Sequence, residues 1–477
     1  MGGANIGLRI ITMISSVLLM RVLDPGDFGI VGAAMIVLYT TNLFSGLGLS
    51  FALIQSRADR AQVAYQAFVV TSIAGTLLFL LILINLHPLA SLLGKADVAP
   101  ILGWLAPLVF LGGLSIIPEA LMQKQMLFMR MSLIVVIVEL TYVGMALGFA
   151  YAGFGLWSLV YAALTKSVLT VLLDWLLTPG WEWIKPKPWN KKLMKELLTF
   201  GIHSTGGGMT TFIYSFIDNF SVTRWLGTVQ LGYYQKAFDF TSRTVDGLNN
   251  VISTVLLPSY AQIQTEHERL SRAYLKSLRL ISFLIVPVAM GMLIVAPEMV
   301  STFLTGEWTP MVVPFQILCL VGTVKPLSAT TSVLFTSTGR PVYNFRAGLV
   351  VIVILVPMIA LLIGSGIAGV AVAVLVAQTV GFGFNMYQVT KVLPATASRM
   401  PMAVAPALLA SAVMMLGVAL AKVPLLYLAG GTHTVATIAA MVVVGAVTYS
   451  TAVFLIQRTL VNEVIELALR RFRAGRA

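Results

Sequence analysis

Residues 21–29 read Arg21-Val-Leu23-Asp-Pro-Gly-Asp-Phe28-Gly29, and residues 224–232 read Arg224-Trp-Leu226-Gly-Thr-Val-Gln-Leu231-Gly232. Arg, Leu, an apolar residue and Gly recur at the same spacing, 203 residues apart. Each copy closes one long apolar run and opens the next. Runs of about 20 apolar residues, the length a helix needs to cross the hydrocarbon core of a bilayer, recur from end to end of the chain. Six of them separate the two copies, so both copies cross the membrane in the same direction. That is a parallel repeat: two six-helix lobes related by an axis along the membrane normal, a transporter architecture that binds its substrate at the lobe interface. A basic, Trp- and Pro-containing stretch at 179–195, midway along the chain, marks the same division.

Composition requires a lipid solvent. Of 477 residues, 58% are hydrophobic and 10% charged, with a mean hydropathy of +0.92. A soluble domain carries about 25% charged residues. The start of the chain, Met1-Gly-Gly-Ala-Asn-Ile6, shows no basic region and no small-residue cleavage site, so the first apolar segment is expected to be a retained helix. Cys319 is alone in the sequence, which excludes an intrachain disulfide; set in an apolar run, it reads as a packing residue.

The apolar windows predict an all-α polytopic membrane protein of about 14 transmembrane helices. Spans at 4–20, 28–54, 66–86, 99–121, 131–152 and 154–178 form an N-lobe over 1–178. The basic linker 179–195 follows, and then a C-lobe over 196–394 with spans at 196–223, 231–258, 277–304, 310–338, 344–364 and 367–390. Two further helices (401–421 and 434–456) lie in 395–457, and 458–477 reads as a basic amphipathic helix lying in the interface. With both termini cytoplasmic, 22 of the 31 Lys and Arg fall in cytoplasmic connections, 4 on the other side and 5 inside spans. This is the positive-inside asymmetry of a multi-pass membrane protein. The net charge of +13 is therefore topological, and no nucleic-acid partner is expected.

Ionisable side chains at bilayer depth are costly and face protein or a wet cavity. Lys236, Asp239, Arg243, Asp246 and Asn250 share one helical face of the eighth span. Asn5, Arg9, Thr12 and Ser16 do so in the first span, and His203, Gly207, Thr210, Tyr214, Asp218 and Ser221 in the seventh. Lys325, Ser328, Ser332 and Thr336 repeat the pattern in the tenth. These stripes predict a water-filled central cavity between the lobes. In the bland alternative, Asp239, Arg243 and Asp246 neutralise one another along their own helix. Arg9 and Lys325 have no carboxylate on their own spans. The mid-span carboxylates Glu139, Asp218, Asp239 and Asp246 are candidates for a coupling site, with H+ or Na+ as the ion, and no other cofactor is expected.

Other patterns carry less. Gly364-Ser-Gly366-Ile-Ala-Gly369 fits a dinucleotide fingerprint, but no strand precedes it, and it reads as a tight turn. Gly144 and Gly148 suggest a helix-packing face. The four histidines are scattered without metal-ligand spacing, and neither a P-loop nor a GxSxG elbow is present.

The stretch Arg21-Val-Leu-Asp-Pro-Gly-Asp-Phe-Gly-Ile30, with Gly46-Leu-Gly-Leu-Ser-Phe-Ala-Leu-Ile-Gln55, resembles the signature of Wzx-type polysaccharide flippases. So do Pro118-Glu-Ala-Leu-Met-Gln-Lys-Gln-Met-Leu-Phe-Met-Arg130, Gly153-Phe-Gly-Leu-Trp157, Leu198-Thr-Phe-Gly201, Leu231-Gly-Tyr-Tyr234, Leu257-Pro-Ser259, Gly306-Glu-Trp308 and Gly339-Arg-Pro341. The resemblance covers roughly residues 1–395 and implies a member of the multidrug/oligosaccharidyl-lipid/polysaccharide exporter superfamily. Such proteins move undecaprenyl-diphosphate-linked oligosaccharide to the outer leaflet for lipopolysaccharide or exopolysaccharide assembly. It implies a cationic cavity, and helical phase supplies the residues expected to line it: Arg9, Lys236, Arg243 and Lys325, which would attract the diphosphate. Asp218, Asp239 and Asp246 are then the coupling candidates, and transport proceeds by ion-gradient-driven alternating access rather than enzymatic turnover. Implied partners are the lipid-linked oligosaccharide, membrane lipids and the polysaccharide polymerase machinery. Two rivals are a multidrug/cation antiporter, for which carboxylates should dominate the cavity, and a membrane-embedded glycan polymerase or ligase, for which a large hydrophilic outer loop is expected.

Overall fold

The computed structural model describes residues 2–56, 58–428 and 434–456; the side chains of 2–6, 202–212, 243–255, 395, 397, 398 and 428 lie outside that description, as does the expected interfacial helix at 458–477. The described chain is helical throughout. It begins with α1 (Gly2–Val22), α2 (Pro25–Ser45), α3 (Leu49–Gln55), α4 (Arg60–Ile84), α5 (Leu86–Leu92), α6 (Val98–Leu105), α7 (Pro107–Lys124), α8 (Phe128–Tyr151) and α9 (Trp157–Leu177). It continues with α10 (Lys191–Ser221), α11 (Thr228–Gln262), α12 (His267–Phe303), α13 (Val312–Ser337), α14 (Val342–Leu362), α15 (Gly366–Val392), α16 (Met400–Leu428) and α17 (Val435–Ile456). A helix stands at every expected span. Two spans are interrupted: the second at Gly46–Gly48, where Leu47 and Gly48 turn to positive φ, and the fourth at Ala106, ahead of Pro107.

Among the described residues, ten stretches are long and apolar enough to cross a membrane. One of them, Val342–Val392, contains both α14 and α15. The helices α1, α10 and α11 are outside the ten; α11 carries Lys236, Asp239, Arg243 and Asp246 in three turns. The protein is thus an all-α, multi-pass membrane protein.

Helix ends are set by the sequence. Asp59 caps α4 by accepting from the backbone N–H of Ala61 at 3.3 Å and Gln62 at 3.2 Å, and Asn190 caps α10 by accepting from Leu193 N–H at 3.1 Å. Pro25 opens α2, where its missing N–H costs nothing. Basic residues of the expected cytoplasmic connections close other helices. Lys124 Nζ donates to the carbonyls of Leu53 and Ser56, both at 2.8 Å, and Arg130 donates to the carbonyl of Leu177 at 2.7 Å.

The chain divides into two compact units, Met1–Lys236 and Ala237–Ala477. In the first, α4 packs on α7, α8 on α9 and α1, and α10 on α3. A core of Leu49, Leu53, Val63, Ala67, Ile117 and Leu121 takes in Trp183 from the linker. Trp183 lies 5.4 Å from the ring of Phe68, and the Pro188 carbonyl accepts from Gln62 and Gln66. The linker is therefore packed against the unit rather than being a free tether. Gly144 and Gly148 differ from the expectation: a Cβ at either would meet nothing within 4 Å, so they form no packed helix face among the described residues.

In the second unit, α12 packs on α13 and α16, α15 on α13 and α14, and α17 on α16. Its core joins Leu270, Tyr274, Leu278, Leu334, Phe335 and Val389. Tyr274 and Thr331 share a hydroxyl–hydroxyl bond of 2.9 Å, and Ser271 and Thr396 one of 2.6 Å. Cys319 is buried, with Sγ 3.9 Å from Thr241 Oγ1. The glycine stretch at 364–369 is the tight turn expected, with Gly366 at φ +72° between α14 and α15.

Candidate functional site

The two copies of the opening repeat meet. A Cβ built on Gly29 would overlap the carbonyl oxygen of Thr228, and one built on Gly232 would overlap that of Pro25. The same two positions lie 3.1 and 3.3 Å from the backbone nitrogens of Gly232 and Gly29, respectively. One turn on, a Cβ at Gly32 would collide with the side chain of Gln235. Only glycine lets two helix starts approach so closely. Beside this crossing Lys236 places Nζ 4.0 Å from the centre of the buried Phe28 ring, a cation–π contact. The other end of α2 is held in the same way. A Cβ on Gly48, at φ +67°, would overlap the Gly201 carbonyl, and one on Gly201 the Leu47 carbonyl.

Asp218, near the end of α10, is 3% exposed. Its Oδ2 accepts from the Tyr234 hydroxyl at 2.8 Å, and its Oδ1 from the backbone N–H of Asn219 at 2.8 Å. The carboxylate ties α10 to the first turns of α11 across a short π-helical segment, Val222–Leu226.

The remaining candidates are placed as follows. Arg9 is half-buried on α1, where Thr12 Oγ1 donates to its carbonyl at 3.0 Å, and among the described residues no carboxylate pairs with its guanidinium. Lys325 on α13 sets Nζ 5.3 Å from the Phe238 ring and lines a recess of about 10 Å³ with Thr241, Ser242 and Leu318. That volume holds about one water. Asp239 is half-buried on α11, one turn after Lys236. The side chains of Arg243 and Asp246, with those of His203, Thr210, Asn5 and Asn250 from the polar stripes, lie outside the described residues.

Glu139 forms an ion pair with Lys166 across α8 and α9, and Lys166 also lies 5.3 Å from the Tyr142 ring. Three contact residues were not among the candidates named from the sequence: Phe28, Tyr234 and Gln235. Phe28 had a signal, since it is the matched apolar position of the repeat.

A family described as "Polysaccharide biosynthesis protein" matches residues 18–313. The chain is 26% identical over 396 residues to an "Uncharacterized membrane protein in cps region" of Klebsiella pneumoniae, covering 79% of this chain and 78% of that one. It is 22% identical over 384 residues to the "Lipopolysaccharide biosynthesis protein WzxC" of Escherichia coli K12, covering 76% and 73% of the two chains. In fold it is similar to a "Lipid II flippase MurJ, inward closed conformation", with a TM-score of 0.76 at 15% identity, covering 96% of this chain and 98% of that one. The match over residues 18–313 spans the glycine crossing, the Asp218 tie and helices α2 to α12, and by it the chain belongs to the polysaccharide biosynthesis protein family.

Proposed function

We propose that this protein is a flippase that carries an undecaprenyl-diphosphate-linked oligosaccharide from the cytoplasmic to the outer leaflet of the bacterial inner membrane, for lipopolysaccharide or exopolysaccharide assembly. The observation that carries the reading is the presence of cations at membrane depth, two of them, Arg9 and Lys325, on helices that contain no carboxylate of their own. Arg9 is without a carboxylate partner among the described residues, and Lys236 and Lys325 rest on aromatic rings. Such cations suit a diphosphate, because charge-assisted bonds to phosphate are the strong kind. A relative named for lipopolysaccharide biosynthesis and another named "Succinoglycan biosynthesis transport protein ExoT" support a glycan cargo and a transporter rather than an enzyme.

In this reading the chain has fourteen spans. The lobes are 1–178 and 196–394, the termini and the 179–195 linker are cytoplasmic, and Arg9, Lys236, Arg243 and Lys325 hold the diphosphate. Asp239 and Asp246 exchange partners with Arg243 between states, driven by an H+ or Na+ gradient, and the polymerase machinery takes the product. The antiporter alternative is the less supported, since relatives named for lipopolysaccharide biosynthesis and succinoglycan transport point to a glycan cargo.

The test is reconstitution. Proteoliposomes holding the protein and a fluorescent undecaprenyl-diphosphate oligosaccharide should expose the lipid to an external quencher faster than empty liposomes. A rate equal to that of empty liposomes, with and without an ion gradient, would sink the proposal.

A further inference from the structure

Helices α15 and α16 leave the Pro394–Arg399 turn in different company, α15 packing on α13 and α14, α16 on α12 and α17. A groove of about 440 Å³ opens between them, lined by Phe382, Met386, Tyr387, Pro401, Val404 and Leu408. Its size falls within the ~300–1,000 Å³ of ligand pockets. Its chemistry is apolar: Thr390, at its edge, already donates its hydroxyl to the Tyr387 carbonyl at 2.7 Å. Cations stand at one end. Lys391 holds Nζ 4.6 Å from the centre of the Tyr387 ring, and Arg399 directly precedes the lining residue Met400; both are exposed.

Among the described residues, protein carboxylates do not answer these charges. Residues 308–462 contain seven Lys and Arg and no Asp or Glu. On the neighbouring α12, Glu298 is taken by Lys422, and Glu266, which precedes that helix, by Arg269; Glu268, in its first turn, makes no ion pair with Lys391 or Arg399 among the described residues. Among the described residues no carboxylate pairs with Lys391 or Arg399. An ammonium resting on a ring keeps donors free for an anion. By the distribution of Lys and Arg, this end of the groove faces the cytoplasmic leaflet, where anionic lipid attracts basic residues.

We propose that the groove is a binding site for an anionic phospholipid of the cytoplasmic leaflet, with an acyl chain between α15 and α16 and the phosphate on Lys391 and Arg399. The site is separate from Lys325 of the proposed cargo site, since the recess that Lys325 lines shares no residue with it. Its occupant would lie between two helices joined by the Pro394–Arg399 turn.

The test uses the purified full-length protein, titrated with phosphatidylglycerol or phosphatidylcholine while bound lipid is counted by native mass spectrometry. Wild type should retain phosphatidylglycerol about fivefold more than phosphatidylcholine, as expected for interfacial cations. The Lys391→Ala/Arg399→Ala variant should lose that preference, and Val404→Trp, which fills the groove, should lose both lipids. Ala405→Leu serves if the Trp variant melts early. Equal retention of the two lipids by wild type, or retention unchanged in the variants, overturns the proposal. So does displacement of phosphatidylglycerol by an equal concentration of undecaprenyl phosphate, which would assign the groove to the transported lipid instead.

Discussion

Gly29 and Gly232 face each other across the start of α2 and the start of α11, each occupying the space in which a side chain of the other helix would otherwise stand. They are also the last matched positions of the sequence repeat. Equivalent points of the two copies thus form one contact. An approximate two-fold through a contact makes it self-complementary, so a single small residue type serves both sides.

Gly29→Val and Gly232→Val are expected to force the crossing apart while both helices still insert. Overpacking of this kind costs about 1–3 kcal/mol, enough to depopulate the arrangement by about tenfold. Gly26 supplies the gauge, because a Cβ there lies 3.6 Å from Val229 Cγ2. A Gly26→Cys/Val229→Cys pair should cross-link readily in an otherwise wild-type chain and poorly in either valine variant. Equal cross-linking in all three would show that the crossing tolerates a side chain.

The helices themselves were legible because a bilayer imposes a length, and every expected span has its helix. Contacts between distant helices were not. The repeat was visible as spacing, but nothing in Arg21–Gly29 states that it touches Thr228–Gly232. Glu139 and Lys166 are 27 residues apart on separate helices, so stripe analysis within one span could not pair them. Gly144 and Gly148 show the converse error: small residues at i and i+4 permit close packing without supplying a neighbour. Trp183 was assigned to a linker on its flanking prolines and lysines, whereas its indole found the core. At the site, Lys236 and Lys325 were found by helical phase, but their aromatic neighbours come from other helices.

Glu298 and Lys422 join α12 to α16 at 2.5 Å, with the carboxylate side chain 2% exposed and the lysine 31% exposed. Removing one partner of a buried pair costs about 3–5 kcal/mol, and the lysine's access to solvent should bring this to about 1–3 kcal/mol. Lys422→Met alone should therefore lower the melting temperature clearly, whereas Lys422→Met with Glu298→Gln should recover most of the loss. Comparable melting of the two variants would mean that the pair contributes no coupling.

Tyr234 and Asp218 separate a structural tie from a coupling site. Tyr234→Phe removes a hydrogen bond to a carboxylate while preserving shape, at a cost of about 1.5–3 kcal/mol. If Asp218 is a tie, Tyr234→Phe and Asp218→Asn should both lower stability, and their effects in the double variant should be markedly less than additive. Gradient-dependent transport should survive in the folded fraction. Transport that no longer responds to an ion gradient in Asp218→Asn, with Tyr234→Phe unaffected, would make Asp218 a coupling residue instead.

Arg9 and Lys325 bear most directly on the cargo. Neither has a carboxylate on its own helix, and a charge at membrane depth is costly unless it meets water or an anion. Were these cations mere packing defects, Arg9→Ala and Lys325→Ala should raise stability and leave export intact. A diphosphate site predicts otherwise: both variants reach the membrane at normal levels, yet surface glycan falls by about tenfold or more, the scale of losing one charge-assisted phosphate contact. Arg9→Lys should retain part of the activity, because a point charge still attracts phosphate although the bidentate fork is lost. Membrane level by immunoblot and surface glycan by gel, read from the same cultures, distinguish the two accounts. Well-expressed alanine variants with full export would remove the cationic site from the mechanism.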